Sequence, residues 1–140
     1  MEITLALLAD AANISQEGKL NVLGAFTHIN ATGFPARHPT MNLVLEFEAS
    51  VSEAGRERHI EVRLLDADGA TLGGLEASFT VPAPVAGKRA QVGAVLPITD
   101  VVLLKEGLHV FDILIDGDSK KQVPFSVNQL PTGGETDDDA

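Results

Sequence analysis

Cysteine is absent from this chain of 140 residues, and so are tryptophan and tyrosine. Without cysteine there is no disulfide framework, no thiolate metal site and no cysteine nucleophile. Without Trp or Tyr there is no amphipathic aromatic platform of the kind on which carbohydrate-binding sandwiches stack sugar rings. The aromatic residues are all Phe: Phe26, Phe34, Phe47, Phe79, Phe111 and Phe125. They carry no polar tip and are expected in a core, except Phe34, which stands beside Pro35 in a connection and is expected to be exposed.

Long hydrophobic runs are missing too. The longest mainly apolar stretch, Ile3 to Ile14, holds Asp10 and falls well short of the roughly 20 residues that span a bilayer, so no membrane partner is expected. The opening Met1-Glu2-Ile3-Thr4-Leu5 has no basic segment and no small-residue cleavage site follows, which argues against export by a secretory signal. Together with the missing cysteine this points to a cytosolic protein. Positive charge is scarce: ten Lys and Arg face twenty Asp and Glu, a net charge of −10. Such a field repels phosphate backbones, so the expectation is no nucleic acid partner. Four of the acids, Glu135 and Asp137 to Asp139, lie in the last six residues, leaving sixteen acids against ten bases and an ordinary body charge near −6.

What the chain does have is period-two alternation in short runs separated by turn residues, the pattern of antiparallel strands buried on one face. Met41, Leu43, Leu45, Phe47 and Ala49 alternate with Asn42, Val44, Glu46 and Glu48. Ile60, Val62 and Leu64 alternate with His59, Glu61 and Arg63 in the same way. About eight strands follow, over 2–11, 19–30, 40–49, 58–65, 70–81, 90–99, 107–116 and 121–128. Gln16-Glu17-Gly18, Asp66-Ala67-Asp68-Gly69 and Asp116-Gly117-Asp118-Ser119 are hairpin turns, with Gly supplying positive φ and Asp bonding its own backbone. Phe34 to Pro39 is a stiff connection and Pro82 to Gly87 a looser one, and neither fits inside a central strand. Gly73-Gly74, within a strand pattern, marks a bulge or kink.

The fold expected is all-β: a single antiparallel sandwich over residues 1–130, immunoglobulin-like or jelly-roll-like, with a flexible acidic tail over 131–140. Ile3 to Ala9 and Val101 to Leu104 are apolar on both faces, as for strands covered on both sides or lending a patch to a partner. Leu108, Val110, Asp112 and Leu114 on one face, and His109, Phe111, Ile113 and Ile115 on the other, make a strand that belongs in the middle of a sheet.

No grouping of chemical residues assembles into a site, so no catalytic, cofactor-binding or metal-binding residue is expected and no cofactor. No serine stands in a Gly-x-Ser-x-Gly elbow. His28, His38, His59 and His109 lack the spacing that aims two imidazoles at one metal, and His59 and His109 occupy apparently outward positions. A calcium loop starting at Asp66 fails at its fifth and twelfth positions, which hold Ala70 and Ala77. Simple alternation of strand direction also puts the Asp66 and Asp116 turns at opposite ends of the domain. The one assembled arrangement worth testing joins His38 or His59 to Asp10 or Asp112. Asp10 is expected to form a turn at a strand end.

Leu7-Leu8-Ala9-Asp10-Ala11-Ala12, then Gly18-Lys19-Leu20-Asn21-Val22-Leu23-Gly24-Ala25-Phe26, with Phe34-Pro35 and the Gly107 to Gly117 strand, resemble a bacterial domain family of unknown function. The resemblance covers the chain up to about Val127, and it implies a small β-sandwich with no assigned activity and no family site residues. The function expected is a non-enzymatic binding or assembly module of a bacterial cytosol, acting on a protein partner or a second copy. The alternative is a small-ligand carrier or sensor with a pocket between the sheets or at the Phe34 to Pro39 connection.

Overall fold

A computed structural model describes residues 1–84 and 89–131. The acidic stretch from 132 onward and part of the Pro82 to Gly87 connection lie outside the described residues. Among the described residues nine strands form two sheets. The strands are β1 (Glu2–Ile14), β2 (Leu20–Phe26), β3 (His28–Ala31), β4 (Ala36–Ala49), β5 (Glu57–Leu65), β6 (Thr71–Thr80), β7 (Ala90–Leu103), β8 (Gly107–Ile115) and β9 (Asp118–Gln129). A 3₁₀ turn, Val51–Glu53, interrupts them. The four-stranded sheet runs β2-β1-β4-β7 and the five-stranded sheet β3-β9-β8-β5-β6.

The alternation of β4 becomes one wall of the core: Met41, Leu43, Leu45, Phe47 and Ala49 are each at most 1% exposed. Ile60, Val62 and Leu64 of β5 face them from the other sheet. As its two apolar faces require, β8 is the middle strand of the five-stranded sheet. His109 corrects the outward assignment. It shares the phase of Phe111, Ile113 and Ile115, and three large apolar neighbours outweigh one imidazole, so its side chain is fully buried. The ring stacks on Phe125 at 5.5 Å, and Phe125 stacks on Phe111 at 5.4 Å.

The expected strand over 19–30 is two strands. Thr27 separates β2 from β3, and the chain passes from one sheet to the other there. That step makes nine strands rather than eight, and it turns β3 parallel to β9, so the sandwich is not wholly antiparallel. The Phe34 to Pro39 connection is shorter than expected, because β4 begins at Ala36 and contains Pro39. A proline is tolerated there because β1 pairs with β4 only from Asn42 onward, while the ladder to β7 steps from His38↔Val101 to Thr40↔Thr99 past Pro39. Phe34 is half-buried and packs on the core rather than standing free.

Ala9 and Val44 are fully buried although they face away from the core. The four-stranded sheet curls on itself, and the tip of the β1–β2 hairpin reaches over its outer face. A β-carbon on Gly93 of β7 would stand 3.1 Å from Leu20 Cδ2 and 3.7 Å from Ile14 Cδ1. Covering from both sides therefore holds at Ala9 of β1 and not at Leu5, which is exposed. It fails for Val101 to Leu104, where Val101 and Leu103 are buried while Val102 and Leu104 are exposed.

Candidate functional site

The sandwich is closed along the side where β2 hands over to β3 and open along the side where the edge strands β6 and β7 face each other. Among the described residues each of these strands has a neighbour on one side only. Their inward residues are therefore half-buried: Leu72, Leu75 and Phe79 on β6, with Val92, Leu96 and Ile98 on β7, pack against the core without being sealed by it.

The opening deepens at Gly73. This residue stands opposite Leu64, in the inward phase of β6, and the β5–β6 register slips between Leu64 and Leu65. The slip is the bulge that the Gly-Gly pair announces. A β-carbon on Gly73 would meet nothing within 4 Å. The missing side chain leaves a cavity of about 220 Å³. Val62, Leu64 and Phe111 form its floor, Leu75 and Ile98 its two walls, and Thr99 and Asp100 its mouth. Asp100 holds a left-handed backbone, φ 55°, which Asp tolerates better than most residues but which remains a strained choice inside a strand. Its carboxylate is 3.5 Å from Arg37 Nη1, and both side chains are mostly exposed.

Two shallower hollows are more polar. One of about 530 Å³ lies on the outer face of β5 and β6 beside Gly74. Its charged groups are already engaged, Arg63 with Glu61 at 2.9 Å and Glu76 with His59 Nε2 at 2.9 Å. The other, about 380 Å³, lies at the Phe34 to Pro39 connection, where Asn30, Thr32, Arg37 and His38 line it.

The histidines and aspartates singled out in the sequence do not converge. His38 lies against Phe26, with ring centroids 6.1 Å apart. His59 pairs with Glu76 and lies 3.3 Å from Ser78 Oγ. Asp112 stands opposite Arg63 and accepts a 2.5 Å hydrogen bond from Ser119 Oγ, with the Glu61 row between it and His59. Asp10 is exposed inside β1 rather than at a strand end. It lies opposite Gly24, whose missing β-carbon would sit 2.6 Å from Asp10 Oδ2. His109 Nδ1 is 3.0 Å from the Gly107 carbonyl, while its Nε2 is buried without a partner among the described residues. Among the described residues no three His, Asp or Glu are grouped to hold a metal ion, and no helix is long and apolar enough to cross a membrane.

The acidic turns fall at opposite ends of the five-stranded sheet. Asp66 accepts from the backbone N–H groups of Ala70 and Asp68, both at 2.9 Å, and the first of these does most to hold its carboxyl below the usual range. Asp68 pairs with Lys105. At the other end Asp116 and Gly117, with φ 50° and 88°, make the tight turn that joins β8 to β9. The Asp116 carboxylate accepts from the His59 N–H at 3.0 Å and from Arg58 at 2.8 Å, and these keep it ionised at lowered pKa. Arg58 also reaches Glu53 at 3.0 Å. Glu53 further accepts from the Ser50 N–H and the Met1 amine, in that order of effect, and its pKa is lowered to about 2. This clasp joins the β1, β5 and β8 ends; every donor in it already has an acceptor except Arg58 Nε.

Sequence reasoning singled out none of the cavity residues as a site. The signals the sequence carries are Gly73 in the inward phase, which reads as a bulge or kink, and Thr99-Asp100 interrupting the apolar run of β7.

No curated protein matches the chain. Among solved structures it is similar to the Pseudomonas fluorescens alkylpurine DNA glycosylase AlkC bound to DNA containing an abasic site analog, at 18% identity and a TM-score of 0.45. The match covers 73% of this chain, which spans 27% of that one. The expectation of no nucleic acid partner is corrected here: that structure was solved on DNA, and the net charge of −10 on which the expectation rested does not stand as an exclusion. At that TM-score the likeness assigns no such partner to this chain. The family model that matches residues 4–128 is that of a family of unknown function, DUF6941, and the chain belongs to that family.

Proposed function

We propose that the chain is a non-enzymatic binding or assembly module that engages its partner along the open β6–β7 side. The observation that carries this reading is the row of half-buried inward residues on two facing edge strands, Leu72, Leu75 and Phe79 against Val92, Leu96 and Ile98. Edge strands present unpaired N–H and C=O groups, and proteins normally blunt them with charge or proline or cover them; on β7 a proline, Pro97, does so at one position. Here the only charged side chain on β7 is Asp100 and the only one on β6 is Glu76. Light scattering across a wide concentration range, with pull-down from the native host, tests it. Thr99→Lys, which sets a cation at the mouth of the opening, is expected to abolish association without changing the melting temperature. A strict monomer that recovers nothing overturns the reading.

The cavity behind Gly73 supports a second reading, a small-ligand carrier or sensor with its pocket between the sheets. We also read the architecture as immunoglobulin-like rather than jelly-roll-like. The order β5-β8-β9 matches the C-F-G order of that fold, and β4 beside β7 matches its B-E pair.

A further inference from the structure

We infer that the cavity behind Gly73 is a binding site for a small amphiphile: an uncharged apolar body with a cationic or hydrogen-bond-donating head that lies at Asp100. This rests on the small-ligand side of the reading above and adds the class of ligand.

Three observations converge on that class. The first is space. An inward-facing glycine with nothing within 4 Å of its would-be β-carbon leaves about 220 Å³ of space at the open β6–β7 side. Cavities of about 150 Å³ take up benzene, so the body has roughly six to nine non-hydrogen atoms. The second is chemistry. The side chains of floor and walls are the hydrocarbon of Val62, Leu64, Leu75, Ile98 and Phe111, beside backbone polar groups of the two edge strands, and no charged side chain lies deeper than the mouth. A charged group at the inner end would be desolvated without a partner, so the polar end must stay at the opening. The third is charge. The mouth carries the Asp100 carboxylate on a strained left-handed backbone, and among the described residues its ion-pair partner is Arg37, at 3.5 Å with both side chains exposed. A net charge of −10 favours approach of cations over anions.

The experiment is a methyl-NMR titration of the full chain with three molecules that share one tail: hexylammonium, hexan-1-ol and hexanoate. Hexylammonium and hexan-1-ol are expected to shift the methyl signals of Leu75, Ile98 and Val101 saturably, with hexanoate weaker than both. Contacts from the hexyl tail to the Phe111 ring place the site directly on the wild-type chain. Gly73→Val, whose side chain occupies the space, is expected to abolish the shifts. Asp100→Asn keeps a residue that accepts the left-handed backbone, and is expected to weaken hexylammonium by about two- to five-fold while leaving hexan-1-ol unchanged. Absence of saturable shifts, shifts that persist in Gly73→Val, or hexanoate binding as tightly as hexylammonium each overturns the inference. If the probes fail while the chain still associates and Thr99→Lys still stops it, this inference falls and the assembly reading stands. Probe binding by a strict monomer that recovers no partner supports this inference and removes the assembly reading.

Discussion

Two adjacent glycines should respond to the same substitution with opposite signs. Gly73 stands in the inward phase of β6 with open space where a side chain would go, and Gly74 stands opposite Arg63 with its would-be β-carbon 2.5 Å from the Val62 carbonyl oxygen. That oxygen and the Arg63 Cα at 3.6 Å belong to the backbone of β5, which is hydrogen-bonded on both sides and cannot give way as a side-chain tip would. Gly73→Ala removes the entropy excess of glycine in the unfolded chain at no steric cost, a gain of about 0.5–1 kcal/mol. Gly73→Val adds two methyl groups against the cavity wall, each worth up to about 0.8 kcal/mol when buried, for a total near 2 kcal/mol. Gly74→Ala has the same entropic gain but forces a backbone shift, and overpacking of this kind costs about 1–3 kcal/mol, so a net loss near 1–2 kcal/mol is expected. Urea titrations of the three variants measure these differences, and thermal scans should separate Gly73→Val from Gly74→Ala by about 10 °C at roughly 3–4 °C per kcal/mol. If Gly73→Val is destabilising by as much as Gly74→Ala, the space behind Gly73 is not there.

The remaining predictions concern the clasp and the core. Glu53 is held ionised to about pH 2, so it stabilises the fold fully above its unfolded pKa near 4.5. That contribution, on the order of 3 kcal/mol, is lost as the pH falls from about 4.5 through 2. Glu53→Gln should therefore lower stability at pH 7 and flatten the acid limb in urea titrations between pH 5 and 2; an unchanged limb refutes the assignment. Asp116→Ala loses the bonds from Arg58 and the His59 N–H and sets a β-branch-free but still disfavoured residue at φ 50°, for an expected loss of about 2–3 kcal/mol by denaturant unfolding. Asp116→Asn, which tolerates that backbone, should lose less. His109→Ala empties a fully buried position stacked on Phe125 and should cost about 2–4 kcal/mol, a loss that a surface histidine would not show.

Where one face of a strand is strongly apolar and the other is not, the fold was legible. The Met41 to Ala49 alternation and the inward Ile60, Val62 and Leu64 set their own phase, because one face must leave water and the other must not. The two Asp turns were legible for the same local reason, since Asp66 bonds the backbone two and four residues ahead and Asp116-Gly117 supplies the paired positive φ angles. His109 was misassigned because both faces of β8 are apolar, so alternation does not say which face turns inward; the register Leu64↔Phe111 does. Thr27 gives no sign of a change of sheet, and Pro39 looks like a break because a sequence does not show that β1 leaves β4 unpaired at that point.

The sequence by itself determined the class of this protein: all-β, without cysteine, with most of its core strands and its hairpin turns in place and its family recognisable from the opening strands and the Gly107 to Gly117 segment. These follow from interactions among residues close along the chain, where a period of two and a turn residue are enough. Only the tertiary structure decided which strands lie side by side, that β3 runs parallel to β9, that the hairpin tip reaches Gly93, and that the β6–β7 side is left open. A glycine in a strand is a bulge in the sequence and a cavity in the structure, because the space depends on Val62, Leu64, Ile98 and Phe111, which the fold brings together from three other strands.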